Sequence, residues 1–356
     1  MEKKLCEICH PKQWKTISSE MLTKEGYPVY GANGVIGYYT EYNHDKATLL
    51  ITCRGATCGS LNISSGFSYI NGNAMALDNL ADDVDIRYLY YYLQGRGLTD
   101  TITGSAQPQI VRQSLNKVKV VYPTLSEQKM LVDLLDKVTA LISLRQQQLE
   151  KLDQLVKSRF IEMFGDCENK LPLAALCSII TDGTHQPPKF QEKGIPFIFV
   201  SNLSANKITY NAEKYISDDT YNELIKRTPI EKGDVLLSTV GSYGHPAVVV
   251  EDTKFLFQRH ISYLKPKHNL VNSFYLHSAL LAPDGQRQIE EKVKGIAQKT
   301  LNLSEIKRIE IPLPSVEQQD QFAAFVVQVD KSKFEIQQSL EKLETLKKAL
   351  MQKYFG

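Results

Sequence analysis

Residues 147–165 read QQLEKLDQLVKSRFIEMFG and residues 338–356 read QSLEKLETLKKALMQKYFG, 191 positions further on. Upstream of each lies a second matching pair: GSAQPQIVRQSLNKVKVVYPTLSEQ (104–128) returns as GIAQKTLNLSEIKRIEIPLPSVEQ (295–318). Both copies pass from a strand-like segment through a proline into a long helical segment and stop at Phe-Gly. A repeat of this length is a duplicated domain plus helix, not a solenoid unit of roughly 20–50 residues. Two similar halves joined through paired helices predict a pseudo-two-fold symmetric molecule, suited to a target in two parts.

The helical segments, 126–164 and 316–355, carry apolar residues at alternating spacings of four and three. In the first copy the seam comprises Leu135, Val138, Ile142, Leu149, Leu152 and Val156; in the second it comprises Val326, Val329, Ile336, Leu340, Leu343 and Leu350. A pattern sustained over four or more heptads signals a coiled coil. Each helix starts at a capping box, Thr124-x-x-Glu127 and Ser315-x-x-Gln318, whose paired side chains satisfy the first free N–H groups. Basic residues interrupt the seam at different places: Arg145 and Arg159 in one copy, Lys333 and Lys347 in the other. They either fix partner and register at some cost in stability or lay long stems along the seam edge. Leu134, Leu141, Leu144, Leu155 and Phe160 exceed what one seam requires, so a second buried face is expected, against a partner or the adjoining domain.

The remaining segments, 1–125 and 166–315, read as α+β domains in which short β-type runs alternate with Gly/Asn/Ser loops. In the first, the runs are Tyr27–Tyr30, Thr48–Cys53, Ala74–Leu77 and Val118–Tyr122, with a helix over Ile86–Gln94. LCEIC (5–9) matches LAALC (173–177), ATLLITCRGATCG (47–59) matches GDVLLSTVGSYGH (233–245), and DIRYLYYYL (85–93) matches NSFYLHSAL (272–280). The resulting division is 1–125, 126–165, 166–315 and 316–356. Framework strands are alike and loops differ, as expected of two binding surfaces with separate specificities.

At 356 residues, 42% hydrophobic and 23% charged, the composition is that of a soluble globular protein with room for two cores. No apolar run reaches the length of a membrane span, the N-terminal residues lack a signal-peptide core, and six cysteines without a framework pattern suit the reducing cytoplasm. Net charge is only +2, so no broad basic footprint for nucleic acid is visible and any basic surface must be local. There is no methyltransferase [DNS]-P-P-[YF] string, the nearest being Gln186-Pro187-Pro188-Lys189, and no G-x-x-x-x-G-K-[ST] phosphate loop, which argues against catalysis or ATP use by this chain. Cys6-x-x-Cys9-His10 has zinc-like spacing, but the matching segment keeps Cys177 and puts Ala174 in place of Cys6; a small buried thiol suits both copies and a metal only one.

The duplicated strings GSAQPQI and GIAQKTL, then YPTLSEQ and PLPSVEQ, then the two helix endings, resemble the specificity subunit of type I DNA restriction-modification systems over essentially the whole chain. That resemblance implies two target-recognition domains, each reading half of a split double-stranded DNA sequence, with an antiparallel helix pair setting the unread spacer. It implies partners as well: two DNA methyltransferase (modification) subunits, with restriction/translocase subunits joining them. S-adenosylmethionine, ATP and Mg are expected on those partners and no cofactor on this chain. A different class stays open on the residues alone, a non-DNA coiled-coil scaffold displaying two peptide-binding domains.

Base edges are read by Arg or Lys, Asn or Gln, and Ser or Thr side chains. Loop candidates in the first domain are Asn33, Tyr38, Arg54, Thr57, Asn71 and Asn73; in the second they are Thr184, His185, Gln186, Ser242, Tyr243, Arg259 and His260. The glycine-rich stretch 31–37, flanked by tyrosines, is either a recognition loop or a tight turn between strands. Gln107 and Gln298 occupy matched positions, and identity in both halves fits a shared structural or phosphate-positioning task better than base reading.

Overall fold

A computed structural model describes residues 1–104, 107–295 and 298–356. It divides into two compact units, Met1–Gln146 with Gln338–Gly356, and Gln147–Gln337. The first unit holds a four-stranded antiparallel sheet in the order His10–Gln13, Ala74–Asp78, Leu49–Thr52, Leu61–Ile63. A three-stranded sheet places Tyr27–Gly31 between Gly34–Tyr39, antiparallel, and Tyr69–Ile70, parallel. The pair Glu2–Lys4 and Lys119–Val121 ties the start of the unit to the strand that leads into the first long helix.

The second unit repeats that plan. Its four-stranded sheet runs Cys177–Asp182, Ile261–Pro266, Val235–Ser238, Pro246–Val248. Its three-stranded sheet places Ile195–Ile198 between Tyr215–Ile216, antiparallel, and Leu256–Phe257, parallel. Lys170–Pro172 pairs with Glu310–Pro312. The duplication read from short strings therefore extends to strand order and pairing sense. Cys9 and Cys177 sit at the same station, 1% and 4% exposed, and burial pushes both thiols up to about 12.

The two long helices span Leu125–Phe164 and Val316–Phe355, each about 60 Å at 1.5 Å per residue. Neither contains Gly or Pro, so nothing interrupts the hydrogen-bond ladder. Both capping boxes form. The Glu127 carboxylate accepts from the Thr124 N–H (3.0 Å) and hydroxyl (2.7 Å), and the Gln318 side-chain oxygen accepts from the Ser315 N–H (3.3 Å). In each unit the start of one helix lies with the end of the other, which is antiparallel pairing. Phe355 joins the first unit's core beside Leu135 and Val132, its ring centroid 5.5 Å from that of Tyr88. Phe164, its counterpart, joins the second core beside Phe322, 5.0 Å from Tyr275.

Every seam position is buried or half-buried, and most residues between them are exposed. Lys333 is half-buried, and its ammonium pairs with Asp153 of the other helix within the second unit. Arg159 instead pairs with Glu162 on its own helix at 2.8 Å. These seam-edge charges thus find carboxylate partners, Lys333 across the helix pair and Arg159 along its own helix. Phe160 belongs to the second core, whereas Leu134, Leu141, Leu144 and Leu155 remain exposed at 39–54%.

One connection in each unit has no precedent in the sequence reading. Gln128 is 0% exposed; its side-chain N–H groups donate to the carbonyls of Asp83 (2.8 Å) and Pro123 (3.0 Å), and its oxygen accepts from the Asp85 N–H (2.8 Å). Asp85 in turn caps the helix Ile86–Arg96, accepting from the N–H groups of Arg87 and Tyr88. Gln319, also 0% exposed, repeats this with Leu270, Pro314 and Asn272, and Asn272 caps the helix Ser273–Leu281. Gln128 and Gln319 stand 191 positions apart, the same offset as the two capping boxes. The long helix is thereby pinned to the domain helix by satisfied buried polar groups, which are costly to break.

Candidate nucleic-acid interface

In the first unit the strand Leu49–Thr52 runs out into Cys53, Arg54 and Gly55, and several segments converge there. The Thr52 hydroxyl donates to the Ala32 carbonyl. Cys53 N–H donates to Asn73 O (3.2 Å), Ile110 N–H to Cys53 O (2.9 Å), and Gly55 N–H to Pro108 O (3.2 Å). Asn33, Arg54, Thr57, Asn73 and Gln107, all exposed, therefore gather at one end of the four-stranded sheet. The stretch 31–37 is resolved as a hairpin, with Ala32-Asn33 as the turn between the strands Tyr27–Gly31 and Gly34–Tyr39.

Two first-unit candidates stand apart. Tyr38 is exposed but sits at the end of the hairpin away from the turn, opposite Pro28. Asn71 is 3% exposed, and its amide is taken up by Ile17 N–H (3.1 Å), Gly72 N–H (2.9 Å) and Ile17 O (3.3 Å). A side chain so buried and so bonded holds the framework and is not presented to a base edge.

The second unit builds the same end from different side chains. Thr239 N–H donates to His260 O (2.9 Å), Leu301 N–H to Thr239 O (2.8 Å), Gly241 N–H to Lys299 O (3.3 Å), and Arg259 N–H to Thr184 O (3.0 Å). Thr184, Ser242, Tyr243, Arg259, His260 and Gln298 are thus brought together. His185 and Gln186, both exposed, follow Thr184 at the rim. Asp182 holds His185 (2.8 Å) and Arg227 on its two carboxylate oxygens. The Tyr243 hydroxyl and the Lys299 ammonium both engage Glu290, and these two bonds keep its carboxyl below the usual carboxylate range. Burial, then the neighbouring Arg259 charge, lowers the His260 pKa. Asp182, Arg227, Glu290 and Lys299 were not singled out in the sequence. Asp182 and Arg227 lie 45 residues apart, and no local pattern joins them.

The shared motif has a backbone reason. Gly104 (φ 85°) and Gly295 (φ 104°) both occupy the left-handed region. A Cβ at either would collide with the carbonyl oxygen of the glutamine three residues on, Gln107 or Gln298. The glycine of the repeated G-x-x-Q therefore stands where only glycine fits, close against the carbonyl of an exposed glutamine at the same station in both units; Ser105, Ala106, Ile296 and Ala297 lie outside the described residues. Among the described residues no group of His, Cys, Asp or Glu could hold a metal ion, and no helix is long and apolar enough to cross a membrane.

A duplicated scaffold with alike turns and unlike polar tips is the architecture of a two-module recognition protein. The family model for the type I restriction modification DNA specificity domain matches residues 1–154 and 176–348. The chain belongs to that family, whose members supply DNA specificity and not catalysis. It is 24% identical over 369 aligned residues to the type I restriction enzyme EcoBI specificity subunit of Escherichia coli, covering 93% of this chain and 74% of that one. To a type I specificity subunit described for Haemophilus influenzae it is 23% identical, covering 88% and 82%. The crystal structure of the type I S subunit from M. genitalium matches all of this chain and 96% of that one, with a TM-score of 0.66 at 16% identity. A chain from a structure of type I restriction-modification complex assembly matches at a TM-score of 0.58 and 15% identity. The structural likenesses establish the fold; family membership displaces the peptide-scaffold alternative.

Proposed function

We propose that the gathered loop ends of the two units each read one half of a bipartite double-stranded DNA target, while the helix pair sets the unread gap between the halves. The observation that carries this reading is one repeated close approach, Gly104 against the Gln107 carbonyl and Gly295 against the Gln298 carbonyl, with side chains around it that differ. Gln107 and Gln298 take the shared, sequence-independent contact; Arg54, Asn73 and Thr57 in one unit, and Arg259, His260 and Ser242 in the other, face base edges.

Two DNA methyltransferase subunits dock on this chain and restriction/translocase subunits join them. The exposed leucines support this docking: Leu134, Leu141 and Leu155 stand at multiples of seven residues on one face of the first long helix, outside its seam. S-adenosylmethionine, ATP and Mg belong to those partners, in keeping with the lack of phosphate-loop and methyltransferase strings in this sequence. A net charge of +2 supplies little counterion-release affinity, so the partners provide most of the grip on the phosphates. The site of action is the cytoplasm, where the DNA and reduced thiols are.

The test is one heptad inserted into each long helix, which preserves the seam register. Seven residues add about 10 Å, or about three base pairs at the helical rise of duplex DNA. The spacer in the modified sequence should lengthen by that amount with both half-sites unchanged. An unchanged spacer in a folded, active complex would count against the helices as a ruler.

A further inference from the structure

Hydrogen bonding at the two loop ends extends position-by-position matching beyond what sequence comparison gives. Cys53 N–H to Asn73 O corresponds to Thr239 N–H to His260 O, and Gly55 N–H to Pro108 O corresponds to Gly241 N–H to Lys299 O. The bridge between Arg54 and Gln109 corresponds to that between Val240 and Thr300. Arg54 therefore stands where the second unit has Val240. Asn73 stands where it has His260, so Gly72 stands where it has Arg259. Arg54 and Arg259 therefore occupy different stations of the same scaffold.

Building on the bipartite-reading proposal above, we infer that Arg54 and Arg259 are the specificity-determining residues of their units, each selecting a guanine. Both are exposed, and neither guanidinium has a hydrogen bond or ion pair among the described residues. Arg87, Arg96, Arg227 and Arg287, by contrast, are each held by a carboxylate. A guanidinium fork presents two parallel N–H donors that match N7 and O6 of guanine in the major groove, and no other base edge offers two acceptors there. Valine at the Arg54 station offers only methyl contact, and glycine at the Arg259 station offers no side chain. Because the backbone pattern is common to both units, the guanine lies under a different part of the scaffold in each half-site.

The experiment selects duplexes from a randomised library with the complex of this chain and its modification subunits, as wild type and as Arg54→Gln, Arg54→Lys, Arg259→Gln and Val240→Arg. Arg54→Gln should lose guanine selection at one base pair of one half-site by about 10- to 100-fold and gain adenine there, since glutamine pairs with N6 and N7 of adenine. Arg54→Lys, which keeps charge but not the fork, should also lose guanine selection. Arg259→Gln should act in the other half-site only, and Val240→Arg should add one guanine requirement to that half. In each variant the untouched half-site reports that the complex is folded. If wild type selects a bipartite sequence and the arginine variants keep every base while affinity falls uniformly, the arginines bind phosphate and this inference is overturned. If wild type selects no bipartite sequence, the reading of the site fails and the inference falls with it.

Discussion

Replacing Gln128 by leucine removes a side chain of similar size whose three hydrogen bonds join the start of the first long helix to the capped start of Ile86–Arg96. The bonds run to Asp83 O (2.8 Å), Pro123 O (3.0 Å) and Asp85 N–H (2.8 Å). A net hydrogen bond is worth about 1 kcal/mol, and each buried group left without a partner costs about 1–3 kcal/mol, so Gln128→Leu should cost about 3–5 kcal/mol. Gln128→Glu should cost at least as much at neutral pH, because an ionised carboxylate cannot donate to two carbonyls. The chain has a single tryptophan, Trp14, which lies in the first unit. Its fluorescence in a urea titration therefore reports the unit that contains the lesion. With urea slopes of about 1–3 kcal/mol per molar, the midpoint should fall by on the order of 1 M or more. Gln319→Leu should show a comparable loss by far-UV ellipticity, since Gln319 bonds Leu270, Pro314 and Asn272 in the same way. Costs below about 0.5 kcal/mol, the range of a bland surface change, would refute the pinning role.

Phe355→Ala, one residue from the end of the sequence, should cost about 3–5 kcal/mol in the first unit, because the ring is buried against Tyr88 and Tyr92; urea unfolding followed at Trp14 checks it, and a negligible change would remove the second helix from that core. Gly104→Ala and Gly295→Ala should each lower the melting temperature, at a cost of at least about 1 kcal/mol, since both glycines have positive φ and a Cβ there meets a carbonyl. The Cys9 and Cys177 thiols, pushed up to about 12 by burial from an ordinary 9.0, titrate higher folded than unfolded. The stability of keeping them protonated is thus fully present below about pH 9 and lost progressively between about pH 9 and 12. Urea midpoints measured from pH 8 to 10 should decline, and the decline should flatten in Cys9→Ala and Cys177→Ala.

The long helices were legible because a seam at 4-3 spacing, without Gly or Pro, leaves one solution, and because the same register returns 191 positions later. The domain plan was legible only in part. Short matches such as LCEIC and LAALC found the framework, but the three-stranded sheets rest on two-residue strands such as Tyr69–Ile70 and Leu256–Phe257, too short to carry a periodic signal. At the candidate interface, aligning Gly55 with Gly241 already set Arg54 against Val240. The match of Gly72 with Arg259 needed strand pairing, because the intervening loops differ in length. Asn71 illustrates the opposite failure: a short amide in a loop has the same letter whether it reads a base or fastens Ile17. Gln128 and Gln319 fall in the 191-residue register, but the carbonyls they satisfy, at Asp83 and Leu270, lie 45 and 49 residues earlier in the chain, and no local pattern joins them.

Methylation of a randomised duplex library by the complex of this chain with its modification subunits, followed by sequencing of the modified molecules, reads both halves and the gap at once. Two short specified blocks of different sequence, separated by a fixed number of unspecified base pairs, is the result expected of two unlike tips on one doubled scaffold. A single uninterrupted block, or two blocks at variable separation, would contradict it.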